Sequence, residues 1–482
     1  MILRNRDRQL KPHNHLTVVD LFAGCGGLSL GLELVGFKPI LAAELSDSAR
    51  LTYSANRKQL NKSRIQRDVR HLAGKTPDEL RRLLGLSNGE YPTLLSGGPP
   101  CQGYSGIGHR RTHTDVEKRE IVSNHLYKDM VSLITKIEPS VFLFENVRGL
   151  LSARWNRHKP EKVWDSVRKH FAAQLGKNYI IAFEVVRGFE YGVPQNRPRV
   201  LMIGYHRRHW SALGWTEDWV TSILAQTKRG NAVAITAGLL PPAYEWKGFV
   251  PNIQELLSDL VDPEWKHRSD PRGKRVCPVY PAVATGRWQI AMRAKSHRNV
   301  KALKAGAKLQ DHEFSKHSKT VMDRFAAAQE TDDLKPPRKL RTRKFSQRAL
   351  PPKWLEEPHI TIASLPDDYV HYVSHRSLTV REWARLQGFP DWYEFLGPRT
   401  TGGHRRAGDV RNADSARETP KYTQIGNAVP VPLAAAIGWH LRALLAVPNS
   451  TSRGTLWNTP LSILLREHFA NPLKNTQGSG AI

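Results

Sequence analysis

Over the first 205 residues, segments patterned as buried strands alternate with segments of helical apolar spacing, and that alternation leaves few architectures open. Residues 16–21 read as a buried strand, and residues 27–36 carry helical spacing that ends on a glycine. A second strand follows at 39–44 and a helix at 46–56. Residues 91–96 form a short apolar strand, 126–137 a helix, and 141–144 an unbroken apolar run ending at Glu145. Two further strands occupy 179–186 and 199–205. Unbroken apolar runs mark strands covered on both faces, so the expectation is an α/β fold with a mostly parallel sheet between helices.

In such folds chemistry gathers at the carboxyl ends of the strands. The 91–96 strand runs into Gly97-Gly98-Pro99-Pro100-Cys101-Gln102. The prolines fix the turn, the glycines admit a close neighbour, and a thiol follows. Two readings of Cys101 stand at this point, a small buried hydrophobe or a nucleophile.

The first strand leads into Asp20-Leu21-Phe22-Ala23-Gly24-Cys25-Gly26-Gly27, a glycine-rich turn before a helix where a ligand can approach the backbone. A dinucleotide fingerprint needs glycine where Ser29 stands, so a nicotinamide or flavin is disfavoured. Glu44, ending the second strand, is placed to accept from two ribose hydroxyls. Asp68 is placed to accept from an adenine amino group. This order suits a nucleoside cofactor without pyrophosphate, and S-adenosyl-L-methionine fits.

The formal charge of +29 favours a polyanionic partner, nucleic acid first. Between residues 266 and 353 there are 23 Lys or Arg against 7 Asp or Glu. This stretch lacks the regular alternation of the first part, and its charge suits a nucleic-acid-facing domain better than a linker. Three cysteines without Cys-x-x-Cys spacing support neither a disulfide framework nor a metal site. A polar start and the absence of a spanning apolar stretch point to a cytoplasmic protein without a membrane partner.

Six strings, in order, resemble the motifs of the cytosine-5 DNA methyltransferases of bacterial restriction–modification systems. They are the glycine-rich turn at 20–27, Pro99-Pro100-Cys101-Gln102, Glu145-Asn146-Val147, Gln195-Asn196-Arg197-Pro198-Arg199, residues 376–390, and Gln424-Ile425-Gly426-Asn427-Ala428-Val429-Pro430. The resemblance implies the Rossmann-like fold of S-adenosylmethionine-dependent methyltransferases with a second, irregular target-recognition domain. It divides the chain into a catalytic and cofactor-binding part at 1–205, a basic recognition domain at 206–375, a return segment at 376–447 and a tail at 448–482. It places Asp20, Phe22, Gly24, Cys25, Gly27, Glu44, Leu45, Asp68, Val69, Pro99, Asn427 and Val429 around the cofactor, with Phe22 on the adenine. Cys101 becomes the nucleophile and Glu145 its acid partner. Arg197 and Arg199 are assigned to the base's O2 and the flanking phosphate, or Arg199 to orienting Glu145.

The chemistry explains the set. Carbon 5 of cytosine is a poor nucleophile until a thiolate adds at carbon 6 and turns the ring into an enamine. Charge developing on the ring then needs an acid at nitrogen 3, with a pKa raised by burial. The base must also leave the duplex stack. By resemblance, residues 105–123 are the loop closing over it, with Arg110, Arg111, Lys118 and Arg119 meeting phosphates. The resemblance implies a monomer acting on duplex DNA, with a cognate endonuclease that forms no stable complex with it. Two alternatives are a tRNA cytosine-5 methyltransferase and a catalytically idle DNA-binding relic. An amino-methylating enzyme would want Asp or Asn where Gly98 precedes the prolines.

Overall fold

The computed structural model describes residues 16–100, 125–155, 161–209, 218, 239–243, 248–296, 299–342, 345–363, 365–400, 419–445 and 460–470. Cys101 and the 105–123 segment, with Arg110, Arg111, Lys118 and Arg119, lie outside the described residues, as does most of the 448–482 tail.

The apolar runs form a seven-stranded sheet from β1 (Thr17–Leu21), β2 (Lys38–Ala43), β3 (Ile65–Gln66), β4 (Leu94–Gly97), β5 (Val141–Val147), β6 (Tyr179–Arg187) and β7 (Pro198–His206). Its order is β3-β2-β1-β4-β5-β7-β6. β1 to β5 run parallel, while β7 lies antiparallel to both β5 and β6. The mostly parallel sheet is therefore present, with one reversal that the apolar runs did not announce.

Residues of β5 show why its sequence is unbroken. Val141 and Leu143 pack into one core and Phe142 and Phe144 into another, one on each face. The second core is closed by α3 (Val69–Ala73), α4 (Pro77–Leu84), α5 (Tyr127–Ile137) and α6 (Val163–Leu175). α4 starts on a capping box between Thr76 and Glu79. The first core holds α1 (Gly27–Leu34) against the late helix Val431–Leu444. There a Cβ on Gly27 would come within 2.5 Å of the Val429 carbonyl, and one on Gly31 would collide with that of Val431. The glycines let the return segment lie directly on α1.

Beyond β7 regular structure thins. The helices Ile253–Leu257, Arg287–Met292 and Lys319–Gln329 sit among three two-stranded pairs, the longest being Ala294–Ser296 with Asn299–Ala302. The helix Pro460–Ala470 docks across this region and α1, where the Ser462 hydroxyl donates to the Leu34 carbonyl at 2.5 Å. His468 stacks on Phe249 at 3.7 Å. Among the described residues, no helix is long and apolar enough to cross a membrane.

Candidate active site

β4 delivers the chain to the Gly98-Pro99-Pro100 turn, and β5 delivers Glu145 beside it. A Cβ on Gly98 would stand 2.9 Å from Glu145 Oε2, and one on Gly97 would stand 3.2 Å from the Leu21 carbonyl. Close approach, not turn geometry alone, explains both glycines. Asn146 Nδ2 donates to the Pro99 carbonyl at 3.0 Å and ties the turn to β5. Asn146 stood inside a quoted motif without a role; its place in that string was the available signal.

Glu145 is 8% exposed, and Arg199 Nε donates to its Oε1 at 2.7 Å. The antiparallel register sets Val147 opposite Arg199 and Glu145 opposite Leu201. Arg199 and Glu145 thus meet diagonally on one face of the sheet. Of the two expected uses of Arg199, the geometry has the one that orients the carboxylate.

Arg197 goes elsewhere. Its Nη1 donates to the Ile362 carbonyl at 2.7 Å, and its Nη2 to those of Gly426 at 2.6 Å and Ala428 at 3.3 Å. In this arrangement it ties its own segment to two distant ones, at Ile362 and at Gly426 and Ala428. Gln195 works beside it, donating to the Leu386 carbonyl and to Gln387 Oε1 and accepting from Ile362 N. Burial depresses the pKa of both arginines; at Arg197 the charge of Arg199 adds to it, while at Arg199 the Glu145 carboxylate opposes it.

Next to β4 on the sheet's carboxyl edge, Phe22 at φ 56°, Gly24 at 56° and Gly26 at 87° bend the loop after β1. A left-handed conformation at an aromatic residue persists only where surrounding contacts hold it. Glu44 supplies some, its Oε2 accepting from Gly24 N at 2.8 Å and its Oε1 from Ser46 N at 2.7 Å. Each carboxylate oxygen keeps a lone pair for a further donor. Burial raises the pKa of Glu44 against the pull of these bonds. Leu45 beside it is 38% exposed, and nothing stands within 4 Å of where a Cβ on Gly24 would be. Asn427 ends its helix exposed, and the Val429 backbone packs on Gly27.

Three expected cofactor residues turn their side chains inward or to a neighbour. Asp20 is 1% exposed and accepts from Ser29 Oγ at 2.5 Å and Ser96 Oγ at 3.3 Å. Burial pushes its pKa up to about 6. Ser29, the residue that breaks the dinucleotide fingerprint, thus anchors the strand end. The Cys25 thiol donates to the Gln424 carbonyl at 3.3 Å, and burial pushes its pKa up to about 12. Asp68 caps α3 ahead of the buried Val69 and pairs with Arg70 at 2.5 Å. Burial opposes its ionisation, but the bonds from Arg70 outweigh it and hold the pKa below the usual range. The side chains of Asp20 and Cys25 are thus both taken up by partners inside the protein.

Among the described residues, no group of three or more His, Cys, Asp or Glu is placed to hold a metal ion.

Residues 16–442 match the family model of the C-5 cytosine-specific DNA methylase. The chain is similar to the type II methyltransferase M.DdeI of Desulfomicrobium norvegicum, with 28% identity covering 90% of this chain and 91% of that one. It is also similar to the type II methyltransferase M.AplI of Arthrospira platensis, with 27% identity covering 95% and 94%. Among solved structures, a prophage-encoded Escherichia coli protein described as a DNA modification methyltransferase shares the fold. Its TM-score is 0.56 at 23% identity, over 89% of this chain and 99% of that one.

Proposed function

The chain belongs to the C-5 cytosine-specific DNA methylases, and from that premise we infer that it methylates carbon 5 of a flipped-out cytosine within a specific duplex DNA sequence, as the modification enzyme of a restriction–modification system. The observation that carries this reading is the Glu145–Arg199 pair held against the Gly98-Pro99-Pro100 turn that leads into Cys101. The family model supports the reaction, and the names of the curated relatives support the modification role.

Cys101 adds through sulfur to carbon 6. Glu145, oriented by Arg199, hydrogen-bonds nitrogen 3 as charge develops on the ring. Asn146 ties the Gly98-Pro99-Pro100 turn, which precedes Cys101 in the sequence, to the strand that carries the acid. S-adenosyl-L-methionine, when bound, supplies the methyl group as a sulfonium electrophile. The residues present suit it: free acceptor capacity on Glu44, an exposed apolar Leu45, open space at Gly24, and Asn427 at the rim. Phe22, Gly27, Val69, Pro99 and Val429 complete the proposed surround, with the backbone of Asp20 and Cys25 and the side chain of Asp68. Proton removal from carbon 5 and elimination of the thiol close the cycle. The same reading gives a monomeric cytoplasmic enzyme that works on the nucleoid, with a cognate endonuclease cutting the same site when it is unmethylated.

The test uses duplex DNA carrying 5-fluorocytosine in place of cytosine. Wild-type protein forms a covalent adduct that depends on the cofactor, and Cys101→Ser forms none while losing turnover by roughly 10³-fold or more. An undiminished adduct with Cys101→Ser would sink the assignment. Methyl transfer to tRNA but not to duplex DNA would move the substrate to RNA.

A further inference from the structure

Arg57 belongs to none of the six motif strings, yet it is 1% exposed and lies beneath the loop after β1. It follows α2 (Asp47–Ala55), where a lone arginine at a helix end gives no sequence signal. Its guanidinium reaches three separate elements. Nη2 pairs with Glu33 of α1 at 2.6 Å and donates to the Gly26 carbonyl at 3.1 Å. Nη1 donates at 3.0 Å to the hydroxyl of Tyr393, which lies on the return segment. Tyr393 in turn donates to the Cys25 carbonyl at 2.5 Å. The Arg57 guanidinium also lies 4.1 Å from the centre of the Tyr53 ring, and the Tyr53 hydroxyl is 2.9 Å from Ser29 Oγ, the group that holds Asp20.

Two consecutive carbonyls of the strained loop are thus gripped from below, one by Arg57 and one by Tyr393. In the same loop, nothing stands within 4 Å of where a Cβ on Gly24 would be, and Gly24 N donates to Glu44. A buried arginine is costly to keep unless its charge is paired and its donors are used. Here the two Nη groups are spent on one acid, one carbonyl and one hydroxyl, while the buried Nε makes no hydrogen bond among the described residues. A Cβ on Gly26 would come within 2.6 Å of Arg57 Nη1 and 2.8 Å of the Tyr393 hydroxyl, so the loop is fitted to this support.

We propose that Arg57, acting with Tyr393, is a positioning residue for the cofactor: it fixes the shape of the loop between Phe22 and Gly27 and so sets the affinity for S-adenosyl-L-methionine without touching it. Tyr393 also accepts at its carbonyl from Arg381 Nη2 at 3.0 Å, so the support is rooted in the buried return segment. The inference rests on the cofactor site proposed above.

Cofactor affinity is measured by titration calorimetry with S-adenosylhomocysteine for wild type, Arg57→Lys, Tyr393→Phe and the double variant. Steady-state kinetics on duplex DNA and DNA affinity in cofactor-free buffer accompany it. Lysine retains a charge for Glu33 but lacks the fork that reaches carbonyl and hydroxyl together. Arg57→Lys is expected to raise Kd, and KM for the methyl donor, tenfold or more, with kcat at saturation within threefold and cofactor-free DNA affinity within twofold. Tyr393→Phe keeps the ring and loses only the hydroxyl, raising Kd three- to tenfold. The double variant falls short of the product of the two, because both act on one loop. A Kd within twofold of wild type in both single variants overturns the proposal. So does a parallel loss of cofactor and DNA binding, the mark of general damage to the fold. Wild type that binds neither the methyl donor nor its product overturns the cofactor site itself together with this inference.

Discussion

The sheet and the region beyond β7 solve the burial of backbone polar groups in opposite ways. In β5 each peptide bonds to β4 or β7, and the side chains are free to be Val, Phe and Leu. Between residues 248 and 400 the elements are short, and arginine side chains take over that task. Arg293 donates to the carbonyls of Asp259 and Ala282, and Arg385 to that of Leu256. Arg381 donates to those of Gln310, Pro390 and Tyr393. Buried carboxylates balance the charge: Arg385 meets Asp259 at 2.5 Å and Asp391 at 2.6 Å, and Arg376 meets Glu382 at 2.7 Å. Where periodic structure runs out, long cationic forks satisfy the carbonyls that strands and helices satisfy for themselves. Arg293, Arg376, Arg381 and Arg385 are therefore interior, and only the first of them belongs to the basic stretch at 266–353.

The strongest challenge to this contrast is Arg385→Met. It leaves Asp259 with Arg293 alone and Asp391 with the Tyr280 hydroxyl but no cation, and the expected loss is about 3–5 kcal/mol by urea denaturation. A loss below about 1 kcal/mol would show that the ionic hub is not what holds the irregular region. On the sheet side, Gly31→Ala forces a methyl group against the Val431 carbonyl, at an expected cost of about 1–3 kcal/mol in the same assay. An unchanged midpoint would mean the two helices separate freely.

Acid should split the two regions. Asp20, with a pKa raised from 3.8 to about 6, contributes stability that is complete below the lower value and lost as pH rises through the higher. His312, 1% exposed and held down to about 4 by burial, contributes above 6.5 and loses that contribution as pH falls toward 4. Melting curves from pH 4.5 to 7.5 should therefore show Asp20→Asn losing, relative to wild type, the gain on acidification. His312→Gln should lose the penalty, each by on the order of 1–3 kcal/mol. Slopes matching wild type in both would remove the distinction. The smallest effect belongs to the contact between the two sides: Ser462→Ala deletes the bond to the Leu34 carbonyl and should cost about 1 kcal/mol.

Apolar runs were enough to read six of the seven strands, because a buried strand writes its burial into its sequence; β3, two half-buried residues, carries no such run. The strand expected at 16–21 is Thr17–Leu21, and the helix expected at 126–137 is Tyr127–Ile137. Direction is not written that way, and β7 runs opposite to its neighbours with a pattern like theirs. Nor do spacings name partners. Arg197 and Arg199 sit two residues apart, yet one finds Ile362 and Gly426 and the other Glu145. The carboxylate of Asp20 and the thiol of Cys25 were legible as groups near a ligand turn. That they face inward depends on Ser29 and on Gln424, the latter 399 residues away from Cys25. Arg57 left no trace because its three partners come from three elements.

The crossing of α1 with the Val431–Leu444 helix has a consequence for synthesis. Gly27 and Gly31 emerge early from the ribosome, but the residues that cover them are made some 400 residues later. Until then α1, with Leu28, Leu32 and Val35, lacks the helix that covers it, and that apolar surface is open to other proteins. The sheet is complete by His206, but the contact of Tyr393 with the loop after β1 and the cover over α1 arrive only with the return segment. A ribosome that stops short of it leaves a sheet built on one side, a product better suited to proteolysis than to marking DNA.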